Sequence, residues 1–153
     1  MNRAPVHRIV VGVDGSEPAA RALGWAIEVA GLVDAELVAV HAHQLPQYVP
    51  RPGGASCALD AESWERSVRE DFERSWCAPL EAAGVRHRTV FETGPAGEVL
   101  LRVAGALVAD LIVTGHRGRG ELVDLVAGSV SQRMVHRAPC PVVVVPPGRP
   151  EAT

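Results

Sequence analysis

Five short apolar runs, each separated from the next by a stretch with helical spacing, constrain this chain more than any other feature of its 153 residues. "HRIVVGVDGS" holds a β-branched run, Ile9 to Val13, that ends in an Asp-Gly turn, and Ser16 then stands as an N-cap before Glu17, Pro18 and a helical stripe of Leu23, Ile27 and Ala30. "AELVAVHAH" reads as a second strand. Between Leu59 and Ala83 the residues Trp64, Val68, Phe72, Trp76 and Leu80 recur every fourth position, which predicts one amphipathic helix with an apolar core face, closed by Gly84. "VRHRTVFETG" alternates, with Val85, His87, Thr89 and Phe91 on one face and arginines on the other, as a half-covered or edge strand does. "PAGEVLLRVAGALVA" is a helix, "DLIVTG" a short apolar strand, Gly128 to Arg137 a further helix, and "CPVVVVPP" a last strand fenced by prolines.

Strands that are apolar on both faces and alternate with helices predict a parallel sheet covered on both sides. The expected fold is α/β, an open, doubly wound five-stranded parallel sheet of order 3-2-1-4-5. The length suits a single domain over residues 1–153, with a core from about residue 6 to 146, short tails and a Pro/Gly-rich loop over about 44–58, "QLPQYVPRPGGAS", as the mobile segment.

Composition removes several function classes. All 15 basic residues are arginine, so a Walker lysine, a Schiff-base lysine and a lysine general base are impossible. A net charge of -3 without a basic run gives no footprint for nucleic acid. No apolar stretch reaches the roughly 20 residues a membrane span needs, and "MNRAPVHRIVV" lacks a signal-peptide core, so a cytoplasmic location is expected. Cys57, Cys77 and Cys140 are odd in number and widely spaced, which suits reduced structural thiols better than a disulfide framework or a zinc site.

In a sheet of this order, ligands sit beyond the carboxyl ends of the strands where the order reverses, between strands 1 and 4. Strand 1 ends in Gly12-Val13-Asp14-Gly15 and strand 4 in Thr114-Gly115. From there "GHRGRGELVDLVAGSVS" lets the backbone turn sharply at Gly115 and Gly118. It then leads to Gly128-Ser129 at a helix N-terminus, where free N–H groups and the helix dipole favour phosphate. Ser129 and Ser131 add hydroxyl donors and Arg117 and Arg119 positive charge. Asp14 has a second role open to it, stabilising its own turn through an Asx hydrogen bond.

The pattern G-x2-G-x9-G-S over Gly115, Gly118, Gly128 and Ser129, together with "RIVVGVDGSEPAARALGWA", "VAVHAH" and "AGSVSQRMVHRAPCPVVVV", closely resembles the nucleotide-binding subclass of the universal stress protein family across nearly the whole chain. The resemblance implies a Rossmann-like fold and a bound ATP, or ADP or AMP, with magnesium. It implies that the loop from Thr114 and Gly115 through Arg117 and Gly118 to Gly128, Ser129, Val130 and Ser131 wraps ribose and phosphates. Asp14 then lies at the pocket, and Gly12, Val13 and Ala42 flank the adenine. Ala42 is smaller than the aliphatic residue common there, and His116 replaces a small polar residue.

The expected function is that of a nucleotide-dependent regulatory protein in a stress response, not a dedicated enzyme, with slow hydrolysis at most. The alternatives are a weak ATPase or adenylate hydrolase on the same scaffold, and a nucleotide-free dimeric interaction module. His41 and His43 point the same way on strand 2, but no third metal ligand is spaced to join them. His116 has no evident nucleophile to activate, and Cys140 precedes an apolar strand as a buried thiol would. Val142, Val143, Val144 and Val145 form a flat, uncharged edge, which predicts a homodimer by strand pairing across a two-fold axis.

Overall fold

The computed structural model describes residues 5–44, 58–116 and 134–148. β1 (Arg8–Gly12) leads to α1 (Glu17–Val33), β2 (Glu36–His43), α2 (Ala58–Asp71), a π-helical turn (Phe72–Trp76), α3 (Ala78–Ala83), β3 (His87–Thr93), α4 (Ala96–Ala106), β4 (Leu111–Gly115) and β5 (Val142–Val145). The strands form one sheet of order β3-β2-β1-β4-β5 with every neighbouring pair parallel. This is the order expected from the sequence. Residues 45–57 of the loop expected over about 44–58, and residues 128–133 of the helix expected from Gly128, lie outside the described residues; residues 134–137 are helical.

Alternation along the strands divides the core into two layers. Ile9, Val11, Leu37, Ala39 and Val113 pack against Ala22, Leu23, Ala26 and Ala30 of α1 and against Phe72, Cys77 and Leu80. On the other face Val10, Val38, Val40 and Ile112 meet Val99, Leu100, Val103 and Ala104 of α4 together with Met134. β1, β2 and β4 are therefore apolar on both sides, because both sides are covered. β3 lies at one edge, as its alternation predicted, and β5 at the other.

The segment after the central loop differs from the single helix expected over 59–83. Trp64 is half-exposed on α2, Val68 and Trp76 are partly buried, and only Phe72 and Leu80 of the stripe are fully buried. A strict four-residue repeat explains this, because each step overshoots an α-helical turn by about 40°, so Trp64 and Leu80 would lie about 160° apart on one straight helix. The chain instead widens into the π turn, which keeps Phe72 and Trp76 over the sheet, and it restarts at Pro79 in the first turn of α3. Gly84 closes α3 in the left-handed region, φ 67°, as the sequence predicted.

At the opposite end of the sheet Asp110 accepts from the backbone N–H groups of His7 and Arg8, at 2.8 and 3.0 Å, and pins the start of β1. The Arg8 guanidinium bonds Glu36 at 2.7 Å and holds its carboxyl below the usual range, and it also donates to the Leu107 carbonyl at the end of α4. Just beyond, Val108 adopts φ 52° although it is β-branched and 78% exposed. Ala109 N–H bonds the Ala104 carbonyl across it at 2.9 Å, so Val108 occupies the left-handed position that usually holds glycine at a helix end. Its side chain is in solvent and loses no packing on removal. Val108→Gly is expected to stabilise the fold by about 1 kcal/mol and to raise Tm by about 3 °C. A calorimetric melt showing a lower Tm would contradict this account of the turn.

Candidate functional site

The site is built where β1 and β4 end. Val13 N–H bonds the Val40 carbonyl at 2.9 Å, which carries the β1–β2 ladder one residue past the strand and fixes the start of the turn. Asp14, 7% exposed, accepts at Oδ1 from the Ser16 N–H at 2.9 Å and from the Ser16 hydroxyl. Ser16 in turn accepts from Ala19 N–H at 3.3 Å as the N-cap of α1. The turn-stabilising role open to Asp14 from sequence is therefore present. These contacts satisfy Ser16, Ala19 and, through the Ser16 carbonyl, Ala20, so the first turn of α1 is capped by its own chain.

Gly115 has a reason for being glycine that the sequence did not disclose. A Cβ there would stand 2.6 Å from both the carbonyl carbon and the oxygen of Pro18 and 3.0 Å from the Ala19 nitrogen. Close packing of strand 4 onto the backbone of α1, not backbone freedom, excludes a side chain at this position. The same contact brings Thr114 and Gly115 beside the Asp14 turn. Thr114 is buried, and Gly12 lies under Leu100, whose Cδ1 would be 3.3 Å from an added Cβ. Ala42 is partly buried on the α4 face, opposite Glu92 of β3. His116 is half-buried, and its N–H bonds the Val145 carbonyl at 3.0 Å, joining the strand-4 loop to β5.

Of the residues singled out from sequence, Gly12, Val13, Asp14, Thr114 and Gly115 come together at this end of the sheet, with Ala42 at the end of β2 beyond β1. Arg117, Gly118, Gly128, Ser129, Val130 and Ser131 lie outside the described residues, as do Arg119 and Cys57. Cys77 is buried with its thiol pushed up to about 12 by burial and then by Glu73, whereas Cys140 is only partly buried and shifted upward for the same first reason. Among the described residues no three His, Cys, Asp or Glu side chains converge as metal ligands, and no helix is long and apolar enough to cross a membrane.

Below the turn lies a cluster that sequence reasoning did not assemble. His41 donates from Nδ1 to the Val13 carbonyl at 2.8 Å, and its ring stands 5.2 Å from Trp76, 5.3 Å from Phe91 and 5.7 Å from Phe72. His43 stacks on Phe91 at 5.4 Å and is 6.4 Å from His41. Trp76 rests on Gly15, where φ is +79° and a Cβ would come within 2.5 Å of the indole ring. Burial pushes the His41 imidazolium below the ordinary histidine range; the Val13 carbonyl opposes this, His43 adds to it, and Asp14 partly restores it. The i, i+2 spacing of the histidines and the off-period tryptophan were the available signals.

A doubly wound parallel sheet with its glycine-bearing turns meeting at the β1/β4 switch point defines a Rossmann-like α/β protein. The chain belongs to the universal stress protein family, whose sequence profile matches residues 5–146. It is 32% identical over 144 residues to a universal stress protein of Mycolicibacterium smegmatis, covering 93% of this chain and 49% of that one, so it spans about half the length of that relative. A universal stress protein of Thermus aquaticus is 34% identical over 142 residues, with 90% of this chain and 96% of that one covered. Among solved structures, a family member from Burkholderia pseudomallei superposes with a TM-score of 0.70 at 24% identity, over 95% of this chain and 99% of that one. A universal stress protein in complex with cAMP gives 0.61 at 24%, over 93% and 98%. An Arabidopsis thaliana family protein with AMP bound gives 0.62 at 19%, over 96% of each.

Proposed function

We propose that the protein is an adenine-nucleotide-binding regulatory protein of the universal stress family, holding ATP, or ADP or AMP, with magnesium. The observation that carries this reading is the packing of Gly115 onto the first turn of α1, which sets the ends of β1 and β4 side by side at the fold's ligand end. Because Ser16 and Asp14 already satisfy the first turn of α1, phosphate is assigned instead to the loop from Arg117 and Gly118 and to the N-terminus at Gly128, Ser129, Val130 and Ser131. Gly12, Val13 and Ala42 flank the base, Asp14 lies at the pocket, and Thr114 and Gly115 begin the loop around ribose and phosphates. The cAMP and AMP complexes of structural neighbours support the same ligand class.

The phosphate groups carry negative charge that magnesium would neutralise, and the loop arginines supply the only cationic side chains assigned to them. A fast phosphoryl-transfer catalyst needs positioned cations and a group orienting the nucleophile. The chain has no lysine, and no such group is evident. Turnover is expected well below about 1 per second. A metal-dependent product burst that Asp14→Asn abolishes would favour the enzyme alternative. The outer edge of β5, Val142–Val145, the last strand of the sheet among the described residues, is assigned to a homodimer, and a monomeric mass by light scattering at micromolar concentration would refute that assignment.

Calorimetric titration of nucleotide-stripped protein with ATP, ADP and AMP, with and without magnesium, tests the central reading beside Gly118→Val. Saturable binding that the variant loses is expected. No heat from folded wild-type protein would overturn the reading and favour a nucleotide-free interaction module.

A further inference from the structure

The turn that carries Asp14 is held from beneath by two contacts. Trp76 covers Gly15, and His41 donates to the carbonyl of Val13, the residues on either side of Asp14. The two supports touch each other, with the His41 and Trp76 rings edge-on at 5.2 Å. Trp76 reaches Gly15 because the chain forms a π turn there, a device common at functional sites.

The cluster suits neutral rings. His43 is 2% exposed, and its Nε2 has no hydrogen-bond partner among the described residues, none of which offers an acceptor to a second ring N–H. His41 is 8% exposed and faces three aromatic rings. The charged neighbours give little relief. From α2, Arg69 places a cation over the Phe91 ring, 4.1 Å from its centroid, on which His43 also stacks. Glu73 of the π turn is exposed and acts on Cys77, and Glu92 of β3 is paired with Arg102. Asp14, already bonded twice by Ser16, is the one described carboxylate acting on His41.

We propose that His41 is a proton-sensitive support for the Asp14 turn: its protonation expels Trp76 from Gly15, loosens the π turn from the sheet and weakens the nucleotide site. The link to nucleotide rests on the function proposed above, whereas the release of Trp76 does not. The sign follows from His41. A buried ring that resists protonation contributes stability in full above the unfolded histidine pKa of about 6.5, and loses it as pH falls below that value toward the folded pKa.

The test uses the full chain with Trp25→Phe and Trp64→Phe, two partly exposed positions outside the cluster, so that Trp76 is the only tryptophan. Between about pH 7.5 and pH 5.5 the ligand-free protein is expected to show a red shift of Trp76 emission while far-ultraviolet circular dichroism is retained. The shift should vanish with His41→Gln and His43→Leu. If that variant does not fold, NMR titration of the His41 imidazole in the chain with both tryptophan substitutions takes its place, and that ring should titrate together with the Trp76 shift. Nucleotide affinity should fall by about tenfold over the same interval.

Unchanged Trp76 emission across the range, or a shift that persists in the histidine variant, overturns the proposal. So does titration of the His41 ring without movement of Trp76. Failure of nucleotide to bind at about pH 7.5 refutes only the functional reading, since the emission of the ligand-free protein decides the support on its own.

Discussion

Gly115→Ala is expected to destabilise the protein by about 3 kcal/mol, a large effect for one added methyl group. The new Cβ would be 2.6 Å from the Pro18 carbonyl carbon and oxygen, atoms of the main chain that cannot rotate away. Moving them means moving the first turn of α1, which is held by the Ser16 cap, by the Ala20 N–H bond to the Ser16 carbonyl at 3.0 Å, and by Asp14. Moving β4 instead would disturb its ladders with both β1 and β5. Neither side can yield locally, so strain spreads through the switch point. Gly105→Ala is the matched control. Gly105 is exposed in α4 with nothing within 4 Å of the new methyl, and alanine there should stabilise the helix by about 0.5–1 kcal/mol. Urea unfolding of both variants separates the two cases. Equal midpoints would refute the packing account of Gly115.

The comparison between these glycines shows which part of the fold was legible in sequence. Strand order followed from apolar runs in "RIVVG", "ELVAV" and "LIVTG" that are buried on both faces, since only covered parallel strands tolerate such composition. Ser16 and Asp14 were legible because capping is local, acting over two or three residues. For Gly115 the sequence offered only the glycine pattern of an anion loop, and the contact with Pro18 that also requires glycine spans nearly a hundred positions of sequence. The Trp76–Gly15 contact was hidden in the same way. Its one local trace was the repeat of four in Trp64, Val68, Phe72, Trp76 and Leu80, which fits neither a straight α-helix nor a single buried face. Taken as period rather than as approximate helix, that repeat marks a departure from a straight α-helix.

Phe72→Ala is expected to cost about 4 kcal/mol. Phe72 is fully buried, the largest such side chain among the described residues. Its ring is 5.7 Å from His41, 6.1 Å from Phe91 and 6.4 Å from Trp76, centroid to centroid, so its removal empties the middle of the cluster. Collapse into that space is opposed from below by the sheet and from above by the π turn, whose closing bond runs from Cys77 N–H to the Phe72 carbonyl at 3.0 Å. Phe72→Leu, which keeps most of the volume, should cost only about 1–1.5 kcal/mol. The pair also tests what the aromatic layer does beyond packing. If Trp76 is seated on Gly15 through Phe72 and His41, Phe72→Ala should shift its emission to the red under conditions where the chain is still folded, and Phe72→Leu should leave it nearly unchanged. A loss of stability with no change in the Trp76 environment would mean that the ring fills space without positioning the turn above it. Urea midpoints and emission maxima from the same samples decide between the two.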